Sequence, residues 1–177
     1  MPLFAMTSAL LSVALAGGDF KVSSPIEGGG LTVRQEFDGF GCSGENVSPP
    51  IRWSGVPEGA KSLALLVHDP DAPTGGAGWW HWSVVDIPVS ADGLPEGATA
   101  DAGLPAGARL GPTDFGRPGW GGPCPPEGHG RHRYVFTLYA LGVDHLEFPE
   151  GATTSLIGFL VNANAIATAR FEVPYQR

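Results

Sequence analysis

Apolar residues fall along this chain in short runs that have the length and composition of β-strands. The stronger runs are almost uninterrupted, which is typical of strands buried in a core, and the weaker runs alternate with polar residues or are brief. Three strong runs and three weaker ones have this pattern: 62–67, 80–87 and 134–141, then 31–34, 51–53 and 171–173. The pattern predicts a mainly β chain.

Two further segments depart from the strand pattern. Residues 153–169 are rich in Ala, Leu and Ile, with Thr153 or Thr154 as a candidate N-cap, and we expect one helix that packs on a sheet. Residues 102–131 are dense in Gly and Pro without periodicity, and a loop of that length in a compact domain is usually either functional or disordered. Many strands and one late helix favour an antiparallel sandwich with a helical addition.

Composition limits what such a chain binds. The 177 residues contain 27 Gly and 17 Pro without a repeat, which favours one domain with many turns. The formal net charge is −8, so the surface repels phosphate backbones and anionic lipid surfaces. Nucleic acid is therefore not an expected partner.

The N-terminal segment is the one candidate for targeting. Residues 3–16 are mostly apolar and end in Ala14-Leu15-Ala16, a small-x-small cleavage pattern, although no Lys or Arg precedes them. We expect residues 1–18 to be a signal peptide cleaved within two residues of Ala16, and 19–177 to form a single exported, periplasmic domain. The alternative is a helical extension of a cytoplasmic protein. No later segment is apolar enough to form a transmembrane anchor.

The cysteines bear on the same question of compartment. Cys42 and Cys124 are the only two in the chain, and both lie in Gly-rich segments. In an exported chain they would form a disulfide, whereas in the cytosol they would remain two reduced thiols. The spacing does not support a zinc ribbon or a thioredoxin-type site.

Acidic and imidazole side chains lie at the ends of the strong strands. Asp69 and Asp71 follow the run 62–67, and His81 and His132 each begin the next strong runs. If neighbouring strands are antiparallel, these ends meet at one edge of the sheet. The sequence thus predicts a small polar site there.

Alternation along a strand predicts which side chains share a face. His81 is expected to lie with Ser83 and Val85, and His132 with Tyr134 and Phe136. Simpler interpretations exist for each residue: the aspartates cap a turn, His81 packs among tryptophans, and His132 lies on the surface. His129 and His145 are expected to be solvated.

Four stretches together resemble the phosphatidylethanolamine-binding protein family, also called the Raf kinase inhibitor protein family. Their order and spacing match, and Gly39-Phe40-Gly41-Cys42 and Gly78-Trp79 favour the bacterial and archaeal branch. The four stretches are Asn46-Val47-Ser48-Pro49-Pro50-Ile51-Arg52-Trp53, Asp69-Pro70-Asp71-Ala72-Pro73, Trp80-His81-Trp82, and Gly122-Pro123-Cys124-Pro125-Pro126 leading to His132-Arg133-Tyr134.

The resemblance implies an antiparallel Greek-key β-sandwich with a C-terminal helix and an anion pocket at one end. The ligand-binding residues that carry over are Asp69, Asp71, His81, Cys124, Pro125, His132 and Tyr134. Among them, Asp71 is expected to brace the corner, and Cys124 and Pro125 to belong to the loop that caps the ligand. A helix followed by a strand replaces the C-terminal helix that covers the pocket in animal members, so kinase inhibition through a C-terminal gate is not expected.

The chemistry suits a small phosphate-like ligand or a phospholipid head group, because protonated imidazoles donate charge-assisted hydrogen bonds to phosphate oxygens. The expected protein is a ligand-binding or regulatory module that is not an enzyme and has no cofactor or metal. Two alternatives remain: an inhibitor of a protease or kinase, and a weak hydrolase or metalloenzyme in which His81, His132 and Asp69 act together. The sequence identifies no protein partner and leaves a homodimer open.

Overall fold

A computed structural model describes residues 19–177, and the signal peptide expected at 1–18 lies outside the described residues. The elements in chain order are β1 (Lys21–Ser23), α1 (Ile26–Gly29), β2 (Asp38–Gly39), β3 (Cys42–Ser43), β4 (Ile51–Ser54), β5 (Ser62–Asp69), β6 (Trp79–Pro88), β7 (Gly93–Leu94), β8 (Arg109–Leu110), β9 (His132–Leu141), α2 (Thr154–Asn164) and β10 (Ala165–Tyr175).

The strands form a sandwich of antiparallel sheets. The larger sheet has five strands in the order β10-β9-β5-β6-β8, and β1-β4-β7 form a second sheet of three. Leu65, in the central strand, is paired with Leu138 of β9 and Val84 of β6. This confirms the predicted mainly β, antiparallel fold class.

Burial on both faces explains why the central strands read as continuous apolar runs. Leu63, Leu65 and Val67 of β5 join the core between the sheets, where Ile51 and Trp53 of β4 meet them. The alternate residues of β5 instead contact a second apolar cluster that includes Ile157 and Val161 of α2. Each face of β5 is therefore covered, by a sheet on one side and by a helix on the other.

The chain end differs from the sequence prediction in its element lengths. The Thr153 hydroxyl accepts a hydrogen bond from the Leu156 N–H (3.2 Å), as expected of the N-cap, but α2 ends at Asn164 rather than at 169. The following strand has 11 residues instead of three, because it pairs with β9 from Ala165 to Tyr175. Tertiary pairing overrides the helix propensity of the alanines.

The segment 31–34 is not a strand, which corrects the sequence prediction. The Gln35 side chain accepts hydrogen bonds from the N–H (3.2 Å) and hydroxyl (3.0 Å) of Thr32, and these local bonds favour a turn. Within the long 102–131 segment the structure assigns one strand, the two-residue β8. None of the helices between residues 19 and 177 has the length and apolar character needed to span a membrane.

Candidate functional site

A cavity of about 210 Å³ opens at the edge where β5 ends and where β6 and β9 begin. Its titratable side chains come from these three strands, and its remaining wall is mostly apolar. The polar group is Asp69, His81, His132 and Tyr134, and the rest of the lining is Phe40, Ala72, Pro73, Thr74, Trp79, Phe115, Cys124, Pro125 and Pro126. Six of the seven ligand-binding residues predicted from the sequence thus surround one cavity.

A β-bulge directs His81 toward this cavity. Trp82 is paired with Val67 and Trp80 with His68, so His81 is an extra residue without a partner on β5. A bulge shifts the alternation of side chains by one position. The expectation that His81 shares a face with Ser83 and Val85 is therefore wrong, and His81 and Trp82 both lie on the inner side.

Two of the residues that line the cavity, Asp69 and His132, form a buried pair. Oδ2 of Asp69 lies 2.7 Å from Nδ1 of His132, and the two side chains are 4% and 2% exposed. The other oxygen, Oδ1, accepts a hydrogen bond from the backbone N–H of Asp71 (2.8 Å). A carboxylate only accepts, so Nδ1 of His132 carries a proton directed at Asp69.

His129 contacts the opposite nitrogen of His132. Its Nδ1 lies 2.8 Å from Nε2 of His132, with the two ring planes at 64° to each other. The sequence predicts a solvated His129. It is exposed, but it is also the third member of a chain Asp69–His132–His129.

His81 is neutral in this structure. Its burial lowers its pKa to about 4, and this effect is larger than the attraction of nearby carboxylates such as Asp69. Nδ1 lies 2.6 Å from the carbonyl oxygen of Gly121, which only accepts, so the proton is on Nδ1 and Nε2 has a free lone pair. Burial raises the pKa of Tyr134, which therefore keeps its hydroxyl proton as a donor.

Asp71 does not line the cavity, unlike the other predicted ligand-binding residues. Its Oδ2 accepts from the backbone N–H and Nε–H of Arg133 (both 2.9 Å), and its Oδ1 accepts from the guanidinium Nη2 (2.8 Å). Arg133 lowers the pKa of this carboxyl to about 2. These hydrogen bonds connect the corner after β5 to the start of β9.

A disulfide joins two parts of the cavity rim. Cys42, the first residue of β3 after the hairpin turn, is bonded to Cys124, with 6.0 Å between the Cα atoms. The hairpin turn presents Phe40, which is 69% exposed and adopts a left-handed φ of 54°. The ring of Phe40 stacks on Phe115 at 5.9 Å between centroids.

The C-terminal residue reinforces the same rim. The Arg177 guanidinium donates to the carbonyl oxygens of Pro125 (2.8 Å) and Gly41 (3.0 Å), one on each side of the disulfide. Both rim segments are thus held by a covalent bond and by hydrogen bonds.

Sequence reasoning missed the aromatic rim and the participation of His129. Phe40 and Phe115 approach each other only through the tertiary fold, although a bulky residue between Gly39 and Gly41 is a local signal of an exposed turn. Within residues 19–177, no cluster of three or more His, Cys, Asp or Glu side chains is arranged to hold a metal ion.

Comparison with known proteins assigns this geometry to a family. The family model described as phosphatidylethanolamine-binding protein matches residues 23–176 of this chain. The chain is 49% identical over 148 residues to the UPF0098 protein YbcL of Escherichia coli K12, covering 82% of this chain and 80% of that protein. It is 41% identical over 138 residues to a UPF0098 protein of Methanothermobacter thermautotrophicus, covering 78% and 88%.

A solved structure agrees with these relationships. The crystal structure of E. coli YbcL, described as a new member of the mammalian PEBP family, matches with a TM-score of 0.85 at 46% identity and covers 90% of this chain and 99% of that chain. The chain belongs to the phosphatidylethanolamine-binding protein family. Within it, the relatives place the chain in the bacterial and archaeal branch.

Proposed function

We propose that this protein binds a small phosphate-like anion or a phospho-head group in the cavity, as a ligand-binding or regulatory module rather than an enzyme. The observation that carries the proposal is the convergence of Asp69, His81, His132 and Tyr134 on one cavity whose other lining is mostly apolar. A few polar groups in an apolar cleft are typical of a small-molecule site.

The hydrogen-bonding state of the site indicates how an anion would be held. Asp69 already accepts from His132 and from the N–H of Asp71, which offsets part of its repulsion toward an anion. Tyr134 supplies a neutral donor. The unprotonated Nε2 of His81 then requires a proton, which arrives either on the ligand as an acidic O–H or from solvent onto the imidazole.

This proton requirement gives a pH-dependent prediction for sulfate, an anion that carries no proton near neutral pH. The pKa of His81 is about 4 in the free protein, and a bound anion raises it because it stabilises the imidazolium. Affinity is therefore greatest at low pH and is lost as pH rises from the free toward the bound pKa. Between pH 5 and the bound pKa we expect the His81 proton alone to give about a tenfold fall per pH unit, the limit for one linked proton.

Calorimetric titration with sulfate from pH 5 to 8 measures this slope, with dissociation constants in the micromolar to millimolar range expected at the acidic end. The variant His81→Ala should lose both the affinity and the slope. His145→Ala, an exposed histidine outside the cavity lining, is the matched control and should retain both. Affinity that is independent of pH in wild type, or unchanged in His81→Ala, would contradict the proposal.

We further propose that the protein is exported to the periplasm with removal of the N-terminal segment. A structural disulfide is typical of an oxidising compartment. In addition, a Mycobacterium tuberculosis relative, 44% identical over 140 residues, bears the name lipoprotein LppC. We expect N-terminal sequencing of protein from its native host to begin near Gly17 or Gly18. Recovery of a soluble cytosolic form that retains Met1 would show that the segment is not a cleaved signal.

A further inference from the structure

We propose that His129 is a displaceable gate on the anion site. In this structure the imidazole of His129 is hydrogen-bonded to Nε2 of His132. A bound anion can accept a hydrogen bond from that nitrogen only when His129 swings out. The inference rests on the proposed anion-binding function. It assigns to His129 a competitive role that opposes ligand binding.

Counting protons shows why the two partners compete. Nδ1 of His132 donates to Asp69, and only one proton fits between its Nε2 and Nδ1 of His129, which lie 2.8 Å apart. If the proton is on His129, Nε2 of His132 is an acceptor and repels an anion. If the proton is on His132, the N–H is already donated to His129. In both states His132 has no free N–H for a ligand while His129 is in place. Once His129 has swung out, Nε2 of His132 keeps the shared proton, or takes one from solvent, and donates it to the anion.

The two imidazoles differ in how firmly they are held. His132 is 2% exposed and is anchored through Asp69 at the start of β9. His129 is exposed and lies in a loop outside the named strands and helices. Of the two partners, His129 is therefore the one that is free to move.

Glycines on both sides give His129 the backbone freedom to swing. Gly128 and Gly130 have φ values of 70° and 93°, in the left-handed region that glycine occupies without strain. A Cβ built on either residue meets nothing within 4 Å, so the space beside both glycines is open. The backbone bonds that the swing would have to break are those from the His129 N–H to the Pro126 carbonyl (3.1 Å) and from the Gly128 N–H to the Arg177 carbonyl (3.3 Å). Rotation about these two residues would carry His129 away without disturbing β9.

The variant His129→Ala tests the gate by removing the competitor and leaving the Asp69–His132 pair intact. We expect it to bind sulfate about two- to tenfold more tightly than wild type at pH 6. This range corresponds to the free energy of one hydrogen bond, which wild type must break before it binds sulfate and the variant does not have. Arg131→Ala is the matched control, since it removes an exposed loop charge two residues from His129 and leaves both imidazoles of the pair in the chain. This control should bind sulfate equally or more weakly.

A second measurement follows the gate itself. In protein with 15N-labelled histidine, saturation with sulfate should move the Nδ1 resonance of His129 toward that of a solvated imidazole such as His145. Unchanged or weaker sulfate binding in His129→Ala, or a His129 resonance unaffected by sulfate that binds, would overturn the gate while leaving anion binding intact. Failure of wild type and of His129→Ala to bind any sulfate would overturn both proposals.

Discussion

Loss of the Cys42–Cys124 disulfide is expected to lower the free energy of unfolding by about 4–5 kcal/mol in the chain-entropy description of cross-links. The bond spans a sequence separation of 82 residues, so its removal releases a long loop in the unfolded chain. In the folded chain it connects the hairpin that carries Phe40 to the segment that carries Pro125. A destabilisation of this size is a large part of the stability of a typical domain.

Urea unfolding of wild type and of the double variant Cys42→Ser/Cys124→Ser measures the difference. We expect a lower midpoint and a steeper denaturant dependence, because the unfolded state without the cross-link exposes more surface. Wild type under reducing conditions should behave like the variant, and Ser43→Ala, an exposed neighbour, should stay within about 0.5 kcal/mol of wild type. A loss below about 1 kcal/mol would show that the unfolded chain gains little freedom when the link is cut.

The second large effect is expected from Asp69→Ala, at about 3–5 kcal/mol of destabilisation. The substitution leaves the buried His132 without the acceptor for its Nδ1–H, and an unpaired partner in a buried pair is costly. Asp71→Ala is the natural comparison, two residues away in the same corner. Its partner Arg133 is 53% exposed, so we expect a cost of at most about 1 kcal/mol.

Both variants should be compared at pH 7 by thermal and urea unfolding. The pKa of Asp71 is lowered from 3.8 to about 2, so its contribution is fully present above the ordinary value and is lost as pH falls through about 2. At pH 7 the comparison therefore reports the intact Asp71–Arg133 pair. An equal decrease in the free energy of unfolding for the two aspartate variants would mean that burial of the Asp69–His132 pair does not make its loss more destabilising.

The sequence was sufficient for the features that depend on local apolar pattern and on strand direction. The strands β5, β6 and β9 were recognisable because both of their faces are buried, which produces an uninterrupted apolar run. Asp69 and His132 were expected together because antiparallel neighbours bring the end of one strand to the start of the next. Neither inference needed long-range information beyond the pairing of strands.

Other features were invisible because they depend on pairing partners distant in the sequence. Residues 165–169 have the composition of a helix, and only the ladder with β9 makes them a strand. The neutral state of His81 results from its full burial in the folded protein. The contact of His129 with His132 depends on how a Gly-flanked loop folds back, which no periodicity encodes.

Because His81 is an extra residue in β6, the geometry of this site depends on the number of residues in the strand as well as on their identity. His81 reaches the cavity while Trp82 fills the core because His81 has no partner on β5, at one of the two irregularities in the β5–β6 ladder. Deleting one residue there would restore simple alternation and force one of these two side chains out of its place, even with every remaining amino acid unchanged. In sequence alignments and in designed variants of this fold, a gap placed in this strand is therefore a chemical change at the site. The safest insertions and deletions are those confined to the exposed turns.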